Sequence, residues 1–271
     1  MSAFFVLSTG RCGTQWLTEL LRQQWPQARV EHEPLHFQYR PDVNSTTSPL
    51  QHNADLIQQH LQQIQQQLTT GLPYIETGFP CWRHLPWFRQ QLSGPVKILH
   101  LHRDPLATVR SLLKLNAFVA PLFDYIPLKN FYLPDASQDR LQMVQALWPT
   151  LQPAEKSLCY WLELQAYALQ LQQEWPGSDW LTLSFTQLFS REGLTKIQQF
   201  FAVPASEASA VNPAAVDQFG SGLLTVPIEF PRLSQHQAWL QQANELINQL
   251  GYAPLPLGDI CFDTRLRCAA Q

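Results

Sequence analysis

The sequence predicts an α/β protein, a three-layer sandwich around a central, mostly parallel sheet. Three observations carry that expectation. Short apolar runs of strand length alternate along the chain with longer segments whose apolar residues recur at helical spacing. Two of the strand-like runs, FFVL (4–7) and VKILHLH (96–102), empty directly into turns that open a helix. No convincing linker divides the chain, so residues 1–271 read as one domain.

The elements follow in order. Strand 4–7 runs through a turn at 8–13 into a helix at 14–24, with Trp16, Leu17, Leu20 and Leu21 along one face. A second short apolar piece around Val30 ends in the string EHEPLHFQY, and residues 40–51, rich in Pro, Ser, Thr and Asn, read as loop. NADLIQQHLQQIQQQLTTG is helical despite its glutamines, because Leu56, Ile57, His60, Leu61, Ile64 and Leu68 keep a stripe and Gly71 stops it. YIETG (74–78) is a short strand, CWRHLPWFRQQL a short helix and VKILHLH a strongly apolar strand. Residues 106–115 form a helix with Pro105 near its first position. The stretch 118–153, rich in Pro and aromatics, reads as irregular, with a lid as one role. A long helix (155–175), a strand (179–185) and a C-terminal helix (237–252, stopped at Gly251) complete the chain.

A formal net charge of −3 removes any global reason to expect nucleic acid, so an anion site here has to be local. No run of 18 apolar residues is present, so no membrane span is expected. Cys12, Cys81, Cys159, Cys261 and Cys268 are scattered without CxxC spacing, and the first residues carry neither a basic stretch nor a signal-type cleavage site. The cysteines read as free thiols in a reducing compartment, and the two features together lead us to expect a cytoplasmic protein.

Two stretches carry chemistry. In LSTGRCGTQW, Gly10 and Gly13 let the backbone fold around a guest, the amides of residues 11–15 can converge on it, Thr14 adds a hydroxyl and Arg11 a fixed charge. The same spacing also suits an ordinary strand–turn–helix corner. It is a partial match to the P-loop GxxxxGK[ST], because Gln15 follows Thr14 where that loop has its Lys-Ser/Thr pair, and no magnesium ligand is evident at a strand end. Magnesium–nucleotide hydrolysis is therefore disfavoured, and a P-loop kinase or NTPase, or a catalytically degenerate nucleotide-binding module, stands as the alternative reading. In ILHLHRDPLATVRSLL, Arg103 emerges at a strand end and Ser111 follows eight residues on, a guanidinium fork with a hydroxyl beside it. The competing account is an Arg103–Asp104 ion pair with Ser111 on a solvated face.

Two anion sites at one sheet edge suit a ligand with two separated anionic groups, and here the chain resembles the sulfotransferases that use 3′-phosphoadenosine 5′-phosphosulfate (PAPS). Arg11-Cys12-Gly13-Thr14-Gln15-Trp16-Leu17 stands where that family has [KR]-S-G-T-T-W-L, and Arg103, Asp104, Pro105 and Ser111 satisfy its R-[ND]-P…S motif. The Trp161 helix leading into WLTLSFTQL, and the terminal INQLGY, echo later elements in the same order. The resemblance implies a P-loop NTPase-like fold and transfer of a sulfuryl group to a hydroxyl or amine. It implies PAPS as co-substrate with no metal, and a small-molecule, glycan or lipid acceptor. Gly10, Arg11, Cys12, Gly13, Thr14, Gln15 and Trp16 would hold the 5′-phosphosulfate, with Arg11 over the transferring group, while Arg103 and Ser111 would hold the 3′-phosphate. The family's late G-x-x-G-x-x-K stretch has no basic counterpart near Gly220 and Gly222, and its tyrosine–acid pair is reduced to Phe185 and Gln187.

A base for the acceptor proton has three candidates. Glu31, His32, Glu33, His36 and Tyr39 form a titratable string, and the family's H-E-P stretch points within it to Glu33. Glu76 follows, as a carboxylate at a strand C-terminus facing the expected cleft. His84, in RHLP, mimics the family's K-T-H-L-P string several residues late, because Glu76-Thr77-Gly78 occupies the matching place. His100 and His102 alternate on one strand without a third ligand at recognisable spacing and read as satisfied core or cleft histidines. Trp82, Trp87, Trp148, Trp161 and Trp175 read mostly as core, with Trp148 and the aromatic stretch 118–132 open to an acceptor-pocket role.

Overall fold

The structure, a computed structural model, describes residues 1–35, 54–78, 82–119, 146–203 and 228–255. His36, Tyr39, the 40–51 loop, residues 120–145, Gly220, Gly222, Cys81, Cys261 and Cys268 lie outside the described residues.

Strands β1 (Ala3–Leu7), β2 (Arg29–His32), β3 (Tyr74–Thr77), β4 (Val96–His102) and β5 (Trp180–Ser184) pair in parallel in the order β2-β3-β1-β4-β5. Between them run α1 (Thr14–Gln24), α2 (Ala54–Thr69), α3 (Leu85–Gln91), α4 (Pro105–Lys114) and α5 (Pro153–Glu174). Helices α6 (Arg191–Phe201) and α7 (Gln237–Gln249) follow the last strand. The alternation of strand side chains sends β1 into two core layers at once. Ala3, Phe5 and Leu7 pack with Ile57, Ile64 and Leu68 of α2 and Leu164, Ala168 and Leu171 of α5. Phe4 and Val6 pack on the other face with Leu17, Leu20 and Leu21 of α1 and Ile197 and Phe201 of α6. A third cluster joins Val109 and Leu113 of α4 to Leu158 and Trp161 of α5 and Trp239, Leu240 and Ile247 of α7. The expected three-layer α/β fold is present, and among the described residues no helix is long and apolar enough to cross a membrane.

Strand order explains why two distant motifs meet. β1 and β4 are neighbours, with Leu7 opposite His100. After β1 the chain moves outward to β2, while after β4 it moves the opposite way to β5. Their C-terminal ends therefore frame the crevice where connections diverge, the usual ligand position of an open parallel sheet.

Some boundaries differ from expectation. α5 starts at Pro153, two residues early, because Gln152 and Glu155 form a reciprocal capping box around a proline at the first turn. CWRHLPWFRQQL divides into a 3₁₀ turn, Trp82–His84, and α3. α6 is an element that the reading of the sequence missed. Its signals are Ser190, whose hydroxyl accepts from the Gly193 amide, and Ile197 and Phe201 on one buried face.

Candidate functional site

The first anion loop is a run of left-handed backbone. Gly10, Arg11 and Gly13 have φ of 75°, 59° and 84°, a conformation that costs an L-residue such as Arg11 about 1–2 kcal/mol. Local bonds fix the turn. The Ser8 hydroxyl accepts from the Gly10 amide at 3.1 Å, and the buried Cys12 thiol donates to the Gly10 carbonyl at 3.2 Å. α1 then begins at Thr14 with Gly13 as its cap and no side-chain cap hydrogen bond, so the amides of its first turn face the crevice beyond β1. Trp16 itself is core, its ring 4.7 Å from that of Phe189; it can serve an anion only through its main chain. Thr14 is largely buried and Gln15 half-buried.

The second motif meets this loop directly. Arg103 Nη1 donates to the Arg11 carbonyl at 3.1 Å, and Arg11 Nε donates to Ser111 Oγ at 2.9 Å. Arg11, Arg103 and Ser111 thus form one connected, half-exposed cluster that joins the two motifs. Asp104 is engaged elsewhere: its carboxylate caps α4, accepting from the Ala107 amide at 2.7 Å. The indole N–H of Trp161 on α5 anchors the Arg103 carbonyl at 2.9 Å, and the ring of Phe185 lies 4.3 Å from the Arg103 guanidinium carbon.

The three base candidates part company. Glu33 directly follows β2, its amide donating to the Thr77 carbonyl at 3.0 Å, with φ of 45°. Its side chain fills the space that a side chain on Gly78 would need: a Cβ there would lie 2.5 Å from Glu33 Cγ and 2.8 Å from Oε1. Glu33 therefore stands at the C-terminal edge of the sheet. Glu76 does not face a cleft. Alternation turns it under α2, where it is fully buried and its Oε2 meets His60 Nε2 at 2.8 Å and the Tyr74 hydroxyl at 2.9 Å. His84 is 1% exposed in the 3₁₀ turn, a core position.

The same alternation splits the titratable string. Glu31 pairs with Arg29 at 2.7 Å and accepts from Tyr74, whereas His32 turns the other way onto Thr77 at 3.0 Å. His100 Nε2 bonds Gln165 Oε1 at 2.6 Å while its Nδ1 is buried without a partner among the described residues, and His102 Nδ1 bonds the Tyr252 hydroxyl at 2.7 Å. Burial lowers His102 to about 4, and burial together with the His102 charge lowers His100 to about 3, so both are neutral at physiological pH. Tyr252 was singled out by no sequence signal. Burial, then the Cys12 thiol and Asp104, push its phenol up while Arg103 opposes, so it stays a hydrogen-bond donor at the site's edge.

The chain matches no known family profile and no curated protein sequence. It does match solved structures. The sulfotransferase domain of the curacin biosynthetic pathway aligns at 13% identity over 93% of this chain and 98% of that one, with a TM-score of 0.52. The sulfotransferase domain of the Synechococcus olefin synthase aligns at 16% identity, 94% and 96% coverage and a TM-score of 0.45. A sulfotransferase from Alicyclobacillus acidocaldarius aligns at 14%, 93% and 96%, with 0.47. The curacin alignment carries the conclusion: this chain has the α/β fold of a sulfotransferase-type domain.

Proposed function

We propose that this protein is a sulfotransferase that moves a sulfuryl group from PAPS to a hydroxyl or amine acceptor by in-line displacement. One observation carries the reading: Arg11, Arg103 and Ser111 converge on the left-handed loop at the point where the connections after β1 and β4 diverge. Two guanidinium groups, a hydroxyl and a helix N-terminus suit a ligand bearing both a phosphosulfate and a separate phosphate.

Each residue then has a task. The amides of residues 11–15 and Arg11 stabilise the negative charge that grows on the 5′-phosphate oxygen as its bond to sulfur breaks. Arg103 and Ser111 grip the 3′-phosphate and set the register of the donor along the crevice. Glu33 takes the proton that the acceptor oxygen or nitrogen loses as it bonds to sulfur, so the products are the sulfated acceptor and 3′-phosphoadenosine 5′-phosphate. The position of Glu33 at the sheet edge supports that role over Glu76, which is enclosed beneath α2.

Calorimetric titration tests the donor site. 3′-Phosphoadenosine 5′-phosphate should bind more tightly than AMP and ADP, and Arg103→Ala should abolish most of that difference. ADP binding as tightly as the 3′-phosphorylated nucleotide, with turnover of ATP that stops on chelation, would favour a kinase or NTPase instead.

A further inference from the structure

Phe185 opens a single helical turn, Phe185–Leu188, directly after β5. Its ring lies under the guanidinium of Arg103, 4.3 Å from centroid to carbon. The ring is also braced by its neighbours. It meets Phe189 at 5.0 Å, and Phe189 meets Trp16 of α1 at 4.7 Å. The same turn closes on the anion loop so tightly that a Cβ on Gly13 would lie 2.6 Å from Leu188 Cδ2, 3.3 Å from Phe189 Cζ and 3.7 Å from Phe185 Cε2. Ser184 and Gln187 lock the turn with a reciprocal cap, 2.8 Å from the Ser184 amide to Gln187 Oε1.

We infer that Phe185 is the positioning residue that confers selectivity for the 3′-phosphate, by fixing the plane of the Arg103 fork. The inference rests on the sulfotransferase reading above. A guanidinium is flat and its donors lie in its plane. Stacking one face on an aromatic ring removes the tilt and torsion of a long side chain while leaving those donors directed outward. One donor, Nη1, is fixed on the Arg11 carbonyl, so ring and carbonyl together define the direction in which the rest of the fork points. Gly13, with φ of 84° and Leu188 against it, ties the ring to the loop, so the two anion subsites keep a fixed separation.

Calorimetry on the full chain, with 3′-phosphoadenosine 5′-phosphate and AMP as paired probes, tests this through the ratio of the AMP dissociation constant to that of the 3′-phosphorylated nucleotide. Phe185→Leu keeps an apolar side chain against Gly13 but has no ring face, and should lower the ratio about tenfold with AMP affinity unchanged. Phe185→Tyr keeps the face and should retain the parent ratio. In an Arg103→Ala background, Phe185→Leu should have no further effect on the ratio. An unchanged ratio in Phe185→Leu overturns the inference, as does an equal loss for both nucleotides, which would assign the ring to the adenine or to loop packing. A parent protein that does not distinguish the two nucleotides overturns the two-anion reading itself, and this inference with it.

Discussion

Glu33 and Gly78 show how one missing side chain can place another. Both residues lie at positive φ, 45° and 80°, and the Glu33 side chain occupies the volume next to the bare Cα of Gly78. Gly71 is the natural control, since it has φ of 79° and nothing within 4 Å of a notional Cβ. Gly71→Ala should cost about 1 kcal/mol from backbone strain alone. Gly78→Ala should cost at least about 1 kcal/mol more, because the new methyl displaces the carboxylate. In a Glu33→Ala background that excess should disappear, which urea unfolding of the parent, the two glycine variants, Glu33→Ala and the Glu33→Ala/Gly78→Ala double variant would reveal. Equal costs for the two glycines would show that Glu33 is not held there. For the chemistry, Glu33→Gln should cut turnover by about 10²–10⁴ and leave the affinity for 3′-phosphoadenosine 5′-phosphate nearly unchanged, as single-turnover kinetics and calorimetry together would show.

Helix α5 is the element that joins the layers, and its first turn carries an unusual load. Glu155 is fully buried; its Oε2 accepts from the Gln152 amide at 2.9 Å, and its Oε1 accepts from the amides of Arg232 at 2.7 Å and Leu233 at 2.9 Å. One carboxylate thus caps α5 and pins the segment that leads into α7. Glu155→Gln keeps the shape but turns an N–H₂ group toward backbone donors, and should destabilise the protein by about 2–4 kcal/mol; denaturant unfolding at pH 7 measures it. A loss below about 0.5 kcal/mol would show that the three bonds are dispensable. The apolar periodicity of the sequence made the five strands and most helices legible, because strand runs such as 96–102 and stripes such as Ile57–Leu61–Ile64 announce their period directly. The pairing of Arg11–Leu17 with Arg103–Ser111 was legible for the same reason, each motif lying at the end of an evident strand. The facing of side chains was not. Glu76 and Thr77 alternate in any reading, but that α2 covers one face and α1 the other, so that both are enclosed, Glu76 on His60 and Thr77 on Thr18, is a tertiary fact. Helix α6 escaped because REGLTKIQQFF carries only a sparse stripe, and its stability comes from packing Ile197 and Phe201 against Phe4 and Leu183.

Across the whole molecule, β4 links the interior to the crevice, and its two histidines make the fold sensitive to acid. His100 is enclosed and bonded to Gln165, and His102 Nδ1 is hydrogen-bonded to the Tyr252 hydroxyl; their rings lie 5.4 Å apart. Tyr252 packs edge-on against Trp161, the residue that anchors the Arg103 carbonyl, so the bond to His102 connects the C-terminal segment to the anion site. In the unfolded chain each histidine takes a proton near its ordinary value of 6.5, whereas in the fold protonation waits until about 4 for His102 and about 3 for His100. Between pH 6.5 and 4 the unfolded state therefore binds more protons, and stability falls as the pH falls through that window; above it, neither histidine contributes a pH dependence. Each should account for about 2 kcal/mol of the stability lost between pH 7 and pH 5. His102→Gln removes one titrating group while leaving an acceptor for the Tyr252 hydroxyl. Urea unfolding at the two pH values should then show a pH 7-to-5 loss about 2 kcal/mol smaller in the variant than in the parent. An identical loss in both proteins would mean that His102 takes its proton in the fold as readily as in the unfolded chain, and that the C-terminal segment is not held to β4 by a neutral imidazole.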